Sequence, residues 1–188
     1  MKQNYLTTAW LVLLLAVLFG GGLAGVHTVL DPIIRANLIA ETYQQVPKLV
    51  PSGIGTEGMT EVAGVNAYPV DDGDGRRVGW VIPAAGQGFA DRIEVLLGLN
   101  ADASEITGVY VLDQKETPGL GNRIVEQDWR DTFSGKSTSQ RLSLTKADTA
   151  GDYDIQSITG ATISSESIVD IVNRAVAEFR EALREAGE

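Results

Sequence analysis

Two short segments carry residue types suited to holding a phosphate-bearing ligand. The first is Ser157-Ile158-Thr159-Gly160-Ala161-Thr162-Ile163-Ser164-Ser165, rich in hydroxyls and followed by apolar residues at helical spacing. The first turn of a helix has unpaired N–H groups and the positive end of the macrodipole. A phosphate at Thr162 would be stabilised there, and Gly160 and Ala161 leave its approach open. The same hydroxyls also suit ordinary helix capping by Thr162 or Ser164. The second segment is Lys115-Glu116-Thr117-Pro118-Gly119-Leu120-Gly121. Pro118 then Gly119 suits a type II turn, with Gly119 at positive φ. Bare backbone at Gly119 and Gly121 would let N–H groups approach a planar ligand, with Glu116 at its edge. A plain strand-to-helix turn has the same residue pattern.

Other candidate motifs carry less. Gly135-Lys136-Ser137 ends like a phosphate-binding loop, but the required earlier glycine is Arg130. Gly86-Gln87-Gly88 and Gly119-Leu120-Gly121 do not continue to the third glycine of a dinucleotide fingerprint. Asp71-Asp72-Gly73-Asp74-Gly75 reads as a hairpin turn and lacks the twelve-residue calcium pattern. The chain has no cysteine and a single histidine, His27, which removes thiolate metal sites and c-type haem. Redox chemistry would therefore come from an organic cofactor. No residue is assigned to a metal or given a catalytic role of its own.

The 188 residues suffice for one domain and an anchor, and the formal charge of −10 disfavours nucleic acid as a partner. Leu6–Leu30 contains no Asp, Glu, Lys or Arg, and at about 1.5 Å per residue exceeds the roughly 30 Å hydrocarbon core. It reads as a transmembrane helix with Tyr5 and Trp10 as interfacial aromatics. Lys2 before it and mixed charges after it favour a cytoplasmic N-terminus and an external domain. Gly21 and Gly25 have the spacing of a helix-contact face or of a small-residue kink.

Beyond the anchor, Asp31-Pro32 marks a turn or a new helical start, and 33–48 reads as a helix ended by Pro47 and Pro51. Sequence rich in Gly and Ser follows from Ser52 to Gly58. Strands are expected at 62–70, 76–82, 93–99 and 106–112, a short helix at 123–133 and a strand at 141–145. The final helix, about 164–186, has one apolar face. The fold class is α+β: one domain of mixed or antiparallel sheet with flanking helices, preceded by one N-terminal transmembrane helix. The expected division is anchor 1–30, connector and linker 31–58, and domain 59–188.

Thr159-Gly160-Ala161-Thr162 resembles the flavin-attachment motif of the FMN-binding domain family, and Glu116-Thr117-Pro118-Gly119-Leu120-Gly121 resembles its second hallmark. The stretch from Gly79 to Gly98, with Gly86-Gln87-Gly88-Phe89, is similar to the family's central strands. The order and spacing, with a single N-terminal helix, are similar to the G subunit of the Rnf electron-transport complex. The related C subunit of the sodium-pumping NADH:quinone reductase is the nearest rival, and a flavin-free scaffold of the same fold is the alternative from another class. The resemblance implies one covalent FMN on the phosphoester-forming Thr162. Thr159, Gly160 and Ala161 would then line the phosphate approach, and Glu116, Thr117, Gly119, Leu120 and Gly121 would border the ring. It further implies an electron relay in an ion-translocating NADH:ferredoxin oxidoreductase, sited in the inner membrane with the domain outside the cytoplasm. Its partners would be the other membrane proteins of that complex, a flavin transferase and lipid. The family often has aspartate three residues before Thr159, where this chain has Gln156, with Asp154 two residues earlier.

Overall fold

The computed structural model describes residues 5–51, 53–56, 58–147 and 151–187; Lys2, Ser52 and the side chain of Tyr5 lie outside the described residues. The chain divides into two compact units, residues 1–40 and 41–188.

The first unit is helical. Its described residues, 5–40, lie within α1 (Tyr5–Leu49), whose residues 9–30 are exposed throughout. Exposure of so long an apolar stretch is what a helix in contact with lipid requires, since its own hydrogen bonds satisfy the backbone. The turn expected at Asp31-Pro32 does not form. Asp31 instead pairs with Arg35 one turn on, at 3.0 Å, and the helix continues through Pro32. Pro47 is likewise accommodated, and α1 ends only at Leu49, two residues before Pro51.

The second unit is built on a six-stranded antiparallel sheet in simple meander order. Its strands are β1 (Thr60–Val62), β2 (Val65–Asp71), β3 (Arg77–Gln87), β4 (Arg92–Asn100), β5 (Glu105–Asp113) and β6 (Lys136–Ser137). The single strand expected at 62–70 is a tight hairpin. Ala63 (φ 43°) and Gly64 (φ 88°) are both left-handed, which turns the chain in two residues. The Asp71–Gly75 turn forms as expected: Asp72 accepts N–H bonds from Asp74 and Arg76, both 2.9 Å, while Asp71 pairs with Arg77. Gly135-Lys136-Ser137 supplies β6, an edge strand, and the Lys136 ammonium donates to the Gly151 carbonyl.

Both faces of this sheet are covered, and β4 shows how. Ile93, Val95, Leu97 and Leu99 alternate onto one face with Trp80, Ile82, Ile106 and the apolar side of α3 (Thr162–Ala186). Leu96 lies on the other face with Val81, Tyr68 and the end of α1, from Val46 to Val50. Three glycines admit that helix end. An added Cβ at Gly79 would stand 2.7 Å from Val50 Cγ1, one at Gly98 2.7 Å from the Leu49 carbonyl, and one at Gly108 3.1 Å from Leu49 Cδ2. The Tyr110 hydroxyl donates to Glu41, and this bond, with burial, raises the phenol's pKa.

The helix expected at 123–133 is broken into a 3₁₀ turn (Gly121–Val125), one α-helical turn α2 (Gln127–Arg130) and a second 3₁₀ turn (Asp131–Phe133). Glu126, with ψ 130°, makes the break. A separate parallel pair, β7 (Ser143–Thr145) and β8 (Asp154–Gln156), closes the domain next to α3. Of the two, β7 matches an expected strand; β8 is three residues long and without a legible period. A Gly98→Ala substitution should destabilise the detergent-solubilised protein by about 1–3 kcal/mol, read as a lower urea midpoint, because neither the Leu49 carbonyl nor Thr107 Oγ1 (2.6 Å) can withdraw freely.

Candidate functional site

The two chemically suggestive segments meet at one cleft. Each is a β-turn of the same design. The Leu120 N–H donates to the Thr117 carbonyl at 3.1 Å across Pro118-Gly119, with Gly119 at φ 77°. The Ala161 N–H donates to the Ile158 carbonyl at 2.9 Å across Thr159-Gly160, with Gly160 at φ 84°. Both turns thus need glycine at the third position, where other residues would be strained. Gly119 is further fixed by its N–H bond to Asn122 Oδ1 at 2.7 Å.

The second turn is aimed by β8. Its Ile155 is fully buried, the Gln156 carbonyl accepts from the Trp129 indole at 2.7 Å, and the Ser157 N–H reaches the Thr145 carbonyl at 2.7 Å. Asp154 is engaged away from the cleft. Its carboxyl accepts from the Ser143 hydroxyl at 2.6 Å and from the Gly151 N–H, bonds that hold it below the usual carboxylate range. Gln156 contributes its backbone to the turn's support through the Trp129 contact.

The hydroxyls of the first turn of α3 do not cap it as ordinary capping would require. Among the described residues, no side chain caps the N-terminal N–H groups of this helix. Ser164 donates to Glu116 Oε2 at 2.6 Å. Ser165 donates to the Ala161 carbonyl at 2.9 Å and accepts from the Ile158 N–H at 3.2 Å, which ties the preceding turn to the helix. Thr162 is exposed as the first helical residue, with Ser157 Oγ 3.4 Å from its hydroxyl.

Between the turns lies a cleft of about 390 Å³ lined by Phe89, Glu116, Thr117, Leu120, Gly121 and residues 160–164. Of the residues singled out in the sequence, Glu116, Thr117, Leu120, Gly121, Gly160, Ala161 and Thr162 line it. Gly119 and Thr159 do not; they form the turns that carry the others. Glu116 lines the cleft as a largely buried group: it is 4% exposed, with Oε1 accepting from the Ala90 N–H at 3.1 Å and Oε2 from Ser164. Phe89, Ile163 and Ser164 also line the cleft, although the sequence assigns none of them to the ligand site. Phe89 and Ile163 are 62% and 53% exposed, apolar groups left uncovered at the rim with Leu120. The available hint at Phe89 is an aromatic directly after Gly86-Gln87-Gly88. Ser164 is hidden by its likeness to a cap.

An FMN-binding domain family model matches residues 88–177, a span that includes every residue lining the cleft. The G subunit of the Na(+)-translocating ferredoxin:NAD(+) oxidoreductase complex of Acetobacterium woodii is 33% identical over 147 residues, 75% of this chain and 69% of that protein. The chain belongs to this family of FMN-binding G subunits. A further relative, the G subunit of the ion-translocating oxidoreductase complex of Methanosarcina acetivorans, is 38% identical over 109 residues. That match covers 58% of this chain and 55% of the relative, so the chain spans about half its length. Among solved structures, the crystal structure of Shewanella oneidensis NqrC superposes with a TM-score of 0.58 over 72% of each chain at 20% identity, which carries the fold alone.

Within this family member, one carboxylate joins three segments: the 88–91 loop, the 116–121 turn and α3. A second tie lies outside it, where Lys115 pairs with Asp91 at 3.1 Å. Asp91 is held below its usual range first by the Arg92 N–H and then by Lys115. The junction tolerates no Cβ at Gly121, which would stand 2.6 Å from both Glu116 Oε2 and Ser164 Oγ. Gly121→Ala should therefore cost about 1–3 kcal/mol in denaturant unfolding and speed amide exchange at Ala90.

Proposed function

We propose that this chain is the electron-relay subunit of a membrane-bound, ion-translocating oxidoreductase complex, carrying one FMN esterified through its phosphate to Thr162. The observation that carries the reading is the Thr162 hydroxyl. It is exposed on the first turn of an uncapped helix, at the mouth of a cleft whose other wall is the second family hallmark.

The residues present fit that group. The open N–H groups of α3 and its macrodipole favour a phosphate at Thr162 by about 0.3–1 kcal/mol. Gly160 keeps that approach bare; a Cβ there would come to 3.3 Å from Leu120 Cδ2. The cleft volume lies within the roughly 300–1,000 Å³ typical of small-molecule sites. Phe89, Leu120 and Ile163 offer apolar surface to a planar ring, and their exposure leaves an edge open for electron exchange. Bound FMN supplies the electron-transfer chemistry; the chain supplies attachment, orientation and electrostatics. Ser157, 3.4 Å from the Thr162 hydroxyl, orients it as a partner in the ester-forming position.

The two G-subunit relatives match at 33% and 38% identity, against 20% for NqrC, which favours the ferredoxin-linked complex over the quinone reductase. In this reading residues 1–30 anchor the chain in the inner membrane, 31–58 connect, and 59–188 form the flavin domain outside the cytoplasm. It contacts lipid and the other membrane proteins of the complex, and a flavin transferase loads it. The apolar, exposed stretch of α1 supports the anchor.

Intact mass of the full-length protein co-produced with a flavin transferase should show one FMN ester, lost in Thr162→Ala and retained in Thr162→Ser. An unmodified wild-type protein, or an ester on another residue, would refute the assignment. A C-terminal alkaline phosphatase fusion should be active; an inactive fusion with normal abundance would put the domain on the cytoplasmic side.

A further inference from the structure

Glu116 presents a combination that attachment of a flavin does not need. Its carboxylate is buried in the cleft wall, and both oxygens accept bonds, from the Ala90 N–H and the Ser164 hydroxyl. An ionised carboxylate accepts at both oxygens, and these two donors meet that demand. The 2.6 Å bond from Ser164 falls in the roughly 2.5–2.7 Å range of O–H donors to an anionic oxygen. The donors are neutral. None of the ion pairs among the described residues includes Glu116, and the nearby Lys115 pairs with Asp91 instead. Gly88 and Gly121 press backbone against the group, since a Cβ at either would stand 2.4 or 2.6 Å from a carboxylate oxygen. Water is thereby kept from solvating it on those sides. A negative charge held by neutral donors in a dry wall projects its field into the space it borders.

Resting on the assignment of FMN to this cleft, we propose that Glu116 is a potential-setting residue: its negative charge, paired with no cation among the described residues, lowers the reduction potential of the flavin held there. Uptake of two electrons and one proton leaves the ring with one more negative charge than before. A fixed anion in the wall opposes that charge, so the oxidised form is favoured and the reduced form becomes the stronger donor. Ser164 is the positioning residue for the carboxylate.

The test is a redox titration of full-length, flavin-loaded protein in detergent at pH 8, with dithionite as reductant and ferricyanide as oxidant. Glu116→Gln keeps the shape: its amide oxygen can face the Ala90 N–H and its NH2 the Ser164 oxygen. The midpoint should shift to more positive potential in Glu116→Gln. It should not do so in Ser164→Ala, which loosens the same contact but keeps the charge. Equal midpoints for Glu116→Gln and wild type would overturn the proposal. So would equal positive shifts in the two variants, because a general loosening of the cleft would produce them. A flavin-free Glu116→Gln beside a loaded wild type would overturn it too, by assigning the carboxylate to attachment. A flavin-free wild type would instead sink the FMN assignment itself. In protein made without the transferase, amide protection at Ala90 should persist in Glu116→Gln and fall in Glu116→Ala. Loss in both would attribute any change of potential to structure and not charge.

Discussion

The carboxylate of Glu116, shared between Ala90 and Ser164, is the contact through which the three walls of the cleft become one object. The β4–β5 ladder, with Glu94 opposite Asp113, brings the loop after β3 beside the turn after β5, whereas the first turn of α3 belongs to no sheet and meets them at the carboxylate. A buried carboxylate left unsatisfied is costly, so the three segments are held wherever its two oxygens find donors. The bare backbone at Gly88 and Gly121 makes the fit possible, because either Cβ would crowd the oxygens out of their positions.

The sheet gives that junction a rigid base. It is a meander of antiparallel neighbours, and it is buried on both faces, by α3 on one side and by the last turn of α1 on the other. The second face is the unusual one, since antiparallel sheets commonly leave a face to solvent. Here Gly79, Gly98 and Gly108 thin the sheet so that Leu49 and Val50 can lie against its backbone. Beside the irregularity between Gly98 and Leu99, the buried hydroxyl of Thr107 has no hydrogen-bond partner among the described residues.

Around the cleft the chain keeps apolar groups in the open. Phe89, Leu120 and Ile163 expose surface that a stable monomer would ordinarily bury, next to an uncapped helix terminus that would ordinarily be satisfied. Both departures stand at the same place, and both suit a ligand with an anionic end and a flat apolar body. The local rules of folding are relaxed where a cofactor would complete them.

Much was legible along the chain. The apolar N-terminal stretch, the alternation in 93–99 and 106–112, the turn at 71–75 and the amphipathic final helix all declare themselves through period and turn chemistry within a few residues. So do the two glycine turns, because positive φ at Gly119 and Gly160 is a local demand. Other features depend on partners that no single window of residues contains. The helix through Pro32 accompanies the Asp31–Arg35 pair, the hairpin at Ala63-Gly64 follows its strand pairing, and β8 exists only against β7. The same holds at the site. Residue types and spacing pointed to Thr162 and Glu116, but only the folded chain decides that Ser164 serves Glu116 and leaves the helix uncapped, and that Glu116 is a buried tie. A side chain's chemistry is its own, whereas its burial and its bonding partners belong to whatever the fold brings beside it.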